Sequence, residues 1–182
     1  FGVHPTPDFR RGTFTLPLNP SPVKGEGQSQ EQGLLTAVVF VPLAGALAIA
    51  LLLRNERAVR GFALFVAVVD FLLSLVAFLS YDPALGGLQL VIRTGWIAPI
   101  NAQYFLAVDG LSAPMVLLTG LLGLCAVLTS WSIQLRVREY FIWLLVLQTS
   151  VMGVFTSLDF VLFFVFWELE LVPMYLLISI WG

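Results

Sequence analysis

From residue 34 onward the chain alternates long apolar runs with short polar links. About 20 consecutive apolar residues cross the hydrocarbon core of a bilayer as a helix. The pattern therefore predicts five spans, at residues 34–53, 62–80, 112–133, 140–156 and 160–181. The fold class read from this is all-α: a polytopic membrane helix bundle over residues 33–182. Pro42 falls inside the first span, where membrane helices tolerate it. Gly33 and Gly45 allow a neighbouring helix to come close. Asp109 or Ser112 is placed to cap the third helix and Asp159 the fifth.

The one sizeable link runs from 82 to 108. Asp82-Pro83 and Gly86-Gly87 are turn signals. Residues 88–96 and 103–108 read as two short strands joined around Pro99-Ile100-Asn101, giving an extracytoplasmic β-hairpin between helices 2 and 3. Trp96 and Tyr104 suit an interfacial aromatic belt. Residues 1–32, rich in Pro, Gly, Gln and Ser, read as a flexible polar tail that cannot bury a core.

Composition agrees with the pattern. The chain is 59% hydrophobic and 11% charged, against roughly 25% charged in a water-soluble domain. Its mean hydropathy is +0.94. The single Cys125 excludes an intrachain disulfide, and with one histidine, His4, in the polar tail no internal metal or haem site is expected. The sequence holds no phosphate loop, HExxH, Ser-His-Asp set or basic aromatic patch, so soluble-enzyme and nucleic-acid functions are not expected. The chain begins at Phe1 and stops after an apolar run, so we expect a piece of a longer protein. The links after the first and third spans carry Arg54, Arg57 and Arg60, then Arg136 and Arg138. The positive-inside rule puts these in the cytoplasm, the N-terminus outside and Gly182 inside.

The chemistry concentrates in residues 160–182, where Glu168 and Glu170 lie close to the middle of an apolar run. A carboxyl at that depth costs a few kcal/mol or more in lipid, so at least one of them is expected to face protein or water. On a 3.6-residue helix Glu168, Tyr175 and Ser179 share a stripe, and Glu170 points almost the opposite way. Pro173 cannot bond back to the Leu169 carbonyl, which leaves a spare acceptor near the acid. Desolvation favours the protonated form of such a carboxyl and a nearby cation the ionised form, so a group between them can load and release a proton. Glu168 is thus the leading relay candidate, with Tyr175, Ser179, Glu170 and Asp70 as lesser ones. Asp70, mid-span in the second helix, is read as an interhelical hydrogen-bonding group in preference to an ion path. Gln148, Thr149 and Ser150 are placed to bond across helices.

Two stretches carry a family resemblance. Phe-Val-Phe-Trp-Glu-Leu-Glu-Leu-Val-Pro-Met-Tyr-Leu-Leu-Ile at 164–178, and Tyr-Phe-Leu-Ala-Val-Asp-Gly-Leu-Ser-Ala-Pro-Met at 104–115, resemble the M chain (chain 4) of respiratory complex I, the NADH-quinone oxidoreductase. That family is related to Mrp-type antiporter subunits. The resemblance covers about residues 34–182. It implies five of an expected fourteen helices and a role in proton translocation coupled to electron transfer from NADH to quinone. The alternative is an Mrp-type cation/proton antiporter subunit. It implies that Glu168 is the essential membrane glutamate, facing a lysine on a helix beyond this chain. No cofactor is expected in this chain, since NADH, FMN, iron–sulfur clusters and quinone belong to other subunits. The implied partners are the L- and N-type antiporter-like chains and the lipid bilayer. The implied location is the bacterial inner (plasma) membrane.

Overall fold

A computed structural model describes residues 27–100 and 102–182, with side chains from residue 33 onward. The described part is mostly helical. In order it contains α1 (Gly27–Leu52), α2 (Glu56–Ser80), β1 (Gln89–Ile97), β2 (Ala102–Val108), α3 (Ser112–Thr129), α4 (Val137–Thr156) and α5 (Phe160–Trp181). All five helices are long and apolar enough to cross a membrane. Most of the expected tail, and Asn101 in the hairpin turn, lie outside the described residues.

Helix boundaries depart from the apolar runs where hydrogen bonding starts before apolarity does. The α1 backbone is helical from Gly27, six residues inside the segment expected to be tail. The α2 helix starts at Glu56 instead of residue 62, because the Asn55 side chain accepts from the Arg57 N–H at 3.1 Å. Two of the three arginines assigned to a link are therefore in its first turns. A helix can begin in the headgroup region, whereas hydropathy marks only the hydrocarbon slab. The α3 helix ends at Thr129 and a 3₁₀ turn (Ser130–Ser132) closes the run.

Helices α1 to α4 form a ring in which α2 also meets α4 across the middle, and α5 lies on α4 and against β2. The buried apolar residues fall into two cores. At one end Leu35, Val38, Ala77, Val116, Met152 and Phe166 enclose Leu90, Ile92, Leu106 and Val108 of the hairpin. At the other, Ile49, Val59, Ala63, Val127, Phe141 and Leu145 pack together. Between them lies a buried polar layer of Asp70 and Ser74 on α2 with Gln148 and Thr149 on α4.

The hairpin is antiparallel, with Gly95 opposite Gln103 and irregularities near both ends of the pairing. Gly86 and Gly87 enter it with φ of 60° and 67°, the left-handed region that glycine adopts without strain. Tyr104 is half-buried. Its ring packs against the core and its hydroxyl pairs with that of Thr36 on α1 at 3.2 Å. Burial pushes the phenol above its ordinary 10.0, with the Thr36 bond opposing. Trp96 is half exposed.

Arginines close the opposite end. Arg138 donates to the Ile49 and Ala50 carbonyls at the end of α1, and Arg60 donates to the Ile133 carbonyl at 2.7 Å. Trp181 Nε1 donates to the Leu135 carbonyl at 2.7 Å, which fixes the end of α5 there. Basic side chains satisfy last-turn carbonyls and complement the helix dipole.

Membrane helices associate by close packing, so small residues decide where they touch. A Cβ on Gly120 would sit 2.7 Å from Ser74 Oγ and 3.3 Å from the Phe71 backbone, whereas one on Gly61 meets nothing within 4 Å. Gly120→Ala should therefore destabilise the bundle by about 1–3 kcal/mol through overpacking. Gly61→Ala, in an exposed helical turn, should stabilise it by about 0.5–1 kcal/mol. Reversible unfolding in mixed micelles reads both, and equal shifts would contradict the packing described.

Candidate functional site

The fifth helix is built from its N-terminus. Asp159 Oδ1 accepts from the N–H groups of Val161 at 2.9 Å and Leu162 at 3.1 Å, so the residue expected to cap the helix does so. Its other oxygen accepts from the Gln103 N–H of β2 at 3.1 Å. The Leu158 N–H also donates to the Phe105 carbonyl at 2.9 Å. One side chain thus starts α5 and fastens the hairpin to it. The Leu162 N–H, with those of Gln103 and Val161, holds this carboxyl below its ordinary 3.8, against a smaller effect of desolvation. Asp109 behaves alike at α3. It accepts from Ser112 and Leu111 N–H groups, which lower it from 3.8, and Ser112 Oγ accepts from the Asp109 N–H in return.

The packed face of α5 is Leu162, Phe166 and Pro173. A Cβ on Gly153 would overlap the Phe166 ring, so that glycine lets α5 settle onto α4. Steps of 4 and 11 residues keep these three on one narrow stripe. Glu168, Tyr175 and Ser179 lie on the other side and are exposed, Tyr175 by 70%. Trp167 is half exposed beside them, its ring 5.6 Å from that of Phe163.

The expected stripe therefore exists, and it faces away from the bundle. Glu168 makes no hydrogen bond among the described residues, and Ser179 Oγ turns back to the Leu176 carbonyl at 3.4 Å. No hydrogen-bonded chain joins Glu168 to Tyr175 and Ser179 here. Glu170 is partly buried beside the packed face. Pro173 is buried on the packed stripe, and the Leu169 carbonyl to which it cannot donate follows Glu168 by one residue.

Asp70 is elsewhere, in the polar layer. Gln148 Nε2 on α4 donates to its Oδ2 at 2.5 Å, and Ser74 Oγ donates to its backbone carbonyl at 2.9 Å. The interhelical partner was among the polar mid-span residues of α4 already singled out. Sequence reasoning missed Gly123, where a Cβ would run into the Gln148 amide. Two glycines three residues apart in α3, at 120 and 123, were the available signal. A groove of about 390 Å³ opens between α3 and α4, with Gln148 among otherwise mostly apolar walls. Among the described residues no three His, Cys, Asp or Glu side chains come together to hold a metal.

No family model matches the sequence. Curated relatives do. The chain is 45% identical over 156 residues to NAD(P)H-quinone oxidoreductase chain 4 1 of Synechococcus elongatus, covering 85% of this chain and 29% of that protein. It is 41% identical over 149 residues to NAD(P)H-quinone oxidoreductase chain 4 of Gloeobacter violaceus, covering 81% and 28%. The chain thus spans less than a third of the length of these relatives. Among solved structures it resembles a chain of respiratory complex I from Thermus thermophilus with bound NADH, with a TM-score of 0.69 at 24% identity over 81% of this chain and 29% of that one. It also resembles a chain of an archaeal membrane-bound sulfane sulfur reductase, with a TM-score of 0.66 at 18% identity over 78% of this chain and 29% of that one. At those identities the likeness is one of fold.

The geometry at Asp159 makes a prediction with a sign. A carboxyl lowered in the folded state contributes stability that is complete above its unfolded value and is lost as pH falls through the folded value. The contribution of Asp159 to docking the hairpin on α5 should therefore be complete from neutral pH down to about 3.8 and decline below it. In Asp159→Ala, amide exchange at Val161, Leu162 and Gln103 should quicken together at neutral pH. Protection unchanged at Gln103 would show that the carboxylate does not hold the hairpin.

Proposed function

We propose that this chain belongs to the chain 4 family of NAD(P)H-quinone oxidoreductases and that its five helices are part of a proton-translocating channel in the membrane arm of such a complex. Translocation is coupled to electron transfer from NAD(P)H to quinone. The electron carriers, flavin mononucleotide and iron–sulfur clusters among them, reside in other subunits. The neighbours in the membrane arm are further antiporter-like chains of the L and N types. The complex sits in a bacterial inner membrane, with the arginine-capped end cytoplasmic and the hairpin outside.

The observation that carries the reading is Glu168 on the uncovered side of α5. A carboxyl at mid-membrane depth is costly unless a polar or cationic group meets it. The packed stripe of α5 turns this acid away from α4, toward whatever helix covers that side. A lysine on that helix, as the family resemblance implies, makes the acid switchable. With the cation near, the carboxylate is favoured, and with it withdrawn, proton uptake is favoured. Moving a proton against the membrane potential costs about 2.3 kcal/mol per 100 mV. Each pKa unit of switching supplies about 1.36 kcal/mol, so a few units suffice. Tyr175 and Ser179 line the same face and are placed to carry the proton onward through water. Glu170, beside the packed face, serves packing.

Replacing Glu168 by Gln in the full-length subunit should leave the complex assembled and lower proton translocation at least about tenfold, the scale of a lost acid–base group. Pumping at the normal rate per electron pair in the assembled variant would remove Glu168 from the path. The orientation has its own test. With Cys125 first replaced by Ser, a cysteine in place of Trp96 should react with an impermeant maleimide from outside intact cells, and one in place of Arg136 only after permeabilisation.

A further inference from the structure

The buried polar layer holds a second acid that the proton path on α5 does not use. Asp70 is fully buried, midway along α2, and Gln148 Nε2 donates to its Oδ2. Two oxygens of this pair, Asp70 Oδ1 and Gln148 Oε1, are buried and have no partner among the described residues. With an ionised carboxylate both would be acceptors, with no donor to share. The Thr149 hydroxyl, also buried in the layer, makes no hydrogen bond to either oxygen among the described residues. Ser74 spends its hydroxyl hydrogen on the Asp70 backbone carbonyl. Helices α1, α3 and α4, which pack against α2, bring no charged side chain to the layer among the described residues. Arg138, Glu139 and Tyr140 sit in the first turn of α4, Glu56, Arg57 and Arg60 in the first turns of α2 itself, and Cys125 of α3 is exposed.

A single hydrogen resolves the mismatch. A carboxylic acid and a primary amide are complementary: the amide N–H donates to one acid oxygen and the acid O–H donates to the amide oxygen. We propose that Asp70 is a proton-binding site, held as a neutral acid paired reciprocally with the Gln148 amide, its Oδ1–H donating to Oε1. The proton taken up adds one O–H bond and no other group changes. An unpaired charge in the bundle is thereby avoided, and both orphaned oxygens gain a partner. The packing is arranged around the pair. Gly123 leaves the room that the Gln148 amide occupies, and Gly120 does the same for Ser74. This site is separate from Glu168 and does not depend on its role. It links α2 to α4, whereas Glu168 faces away from both.

Infrared difference spectroscopy on the full-length subunit in its assembled complex tests the assignment. Wild-type minus Asp70→Asn spectra in ordinary assay buffer should show the carbonyl stretch of a protonated carboxylic acid, shifted down in deuterium oxide. In Gln148→Met, which removes the amide and keeps the length, that band should move to higher frequency as the acid loses its partner. A wild-type minus Asp70→Asn difference with carboxylate bands alone would overturn the proposal. So would an acid band that Gln148→Met leaves in place. If Asp70→Asn fails to assemble, the wild-type minus Gln148→Met difference decides alone. A shifted acid carbonyl supports the pair, and its absence overturns it.

Discussion

A hydrogen bond from Gln148 on α4 to Asp70 on α2 crosses the middle of the bundle, and the helices around it are spaced to admit it. In hydrocarbon a polar group has no water to turn to, so it must be met inside the protein. That constraint explains why the apolar interior is two cores instead of one, with Asp70, Ser74, Gln148 and Thr149 between them. It also explains the glycines of α3, which face the layer where a side chain would occupy the space of Ser74 or Gln148. Removing either member of the pair would strand the other in a dry interior, which costs more than the bond itself contributes.

The same requirement governs the ends. Helix termini expose unpaired N–H and carbonyl groups. At one end Asp109 and Asp159 meet the N–H groups of α3 and α5, and at the other Arg60 and Arg138 meet carbonyls. The assignment of sign to each end follows the dipoles, since acids favour helix starts and cations helix ends. Aspartates at one end and arginines at the other therefore close the helices. The hairpin fits this scheme: it covers one end of the bundle with Leu90, Ile92, Leu106 and Val108 and is tied to α5 through Asp159.

Much of this was legible in the sequence because hydropathy and capping are local. The five helices, the two strands and the cap at Asp159 follow from runs of residues and from side chains within a turn of the groups they bond. The mid-span polar residues on α4 were recognisable for the same reason. Boundaries at Gly27 and Glu56 were not, since a helix continues past the apolar slab wherever a cap such as Asn55 allows it. Which face of a helix is packed was also hidden. The spacing of Glu168, Tyr175 and Ser179 places them together, yet only the burial of Leu162, Phe166 and Pro173 on the opposite stripe shows that they point outward. The Tyr104 partner was hidden for a like reason: Thr36 is 68 residues away in the chain.

The two membrane carboxyls then differ in a way that bears on what each can do. Asp70 is met by a neighbour within the bundle, on rigid helices, with little freedom to change partners. A group so satisfied is suited to hold a proton and poorly suited to pass one on. Glu168 has no such partner, and its helix turns it toward a face that α1 to α4 do not cover. For an acid in hydrocarbon that arrangement is stable only when another element supplies the missing polar contact. A contact supplied from a separate helix can approach and recede, which a contact within one packed core cannot. Which acid is met inside the bundle and which faces outward is thus set by which side of α5 packs, and Gly153, by admitting Phe166, sets that side.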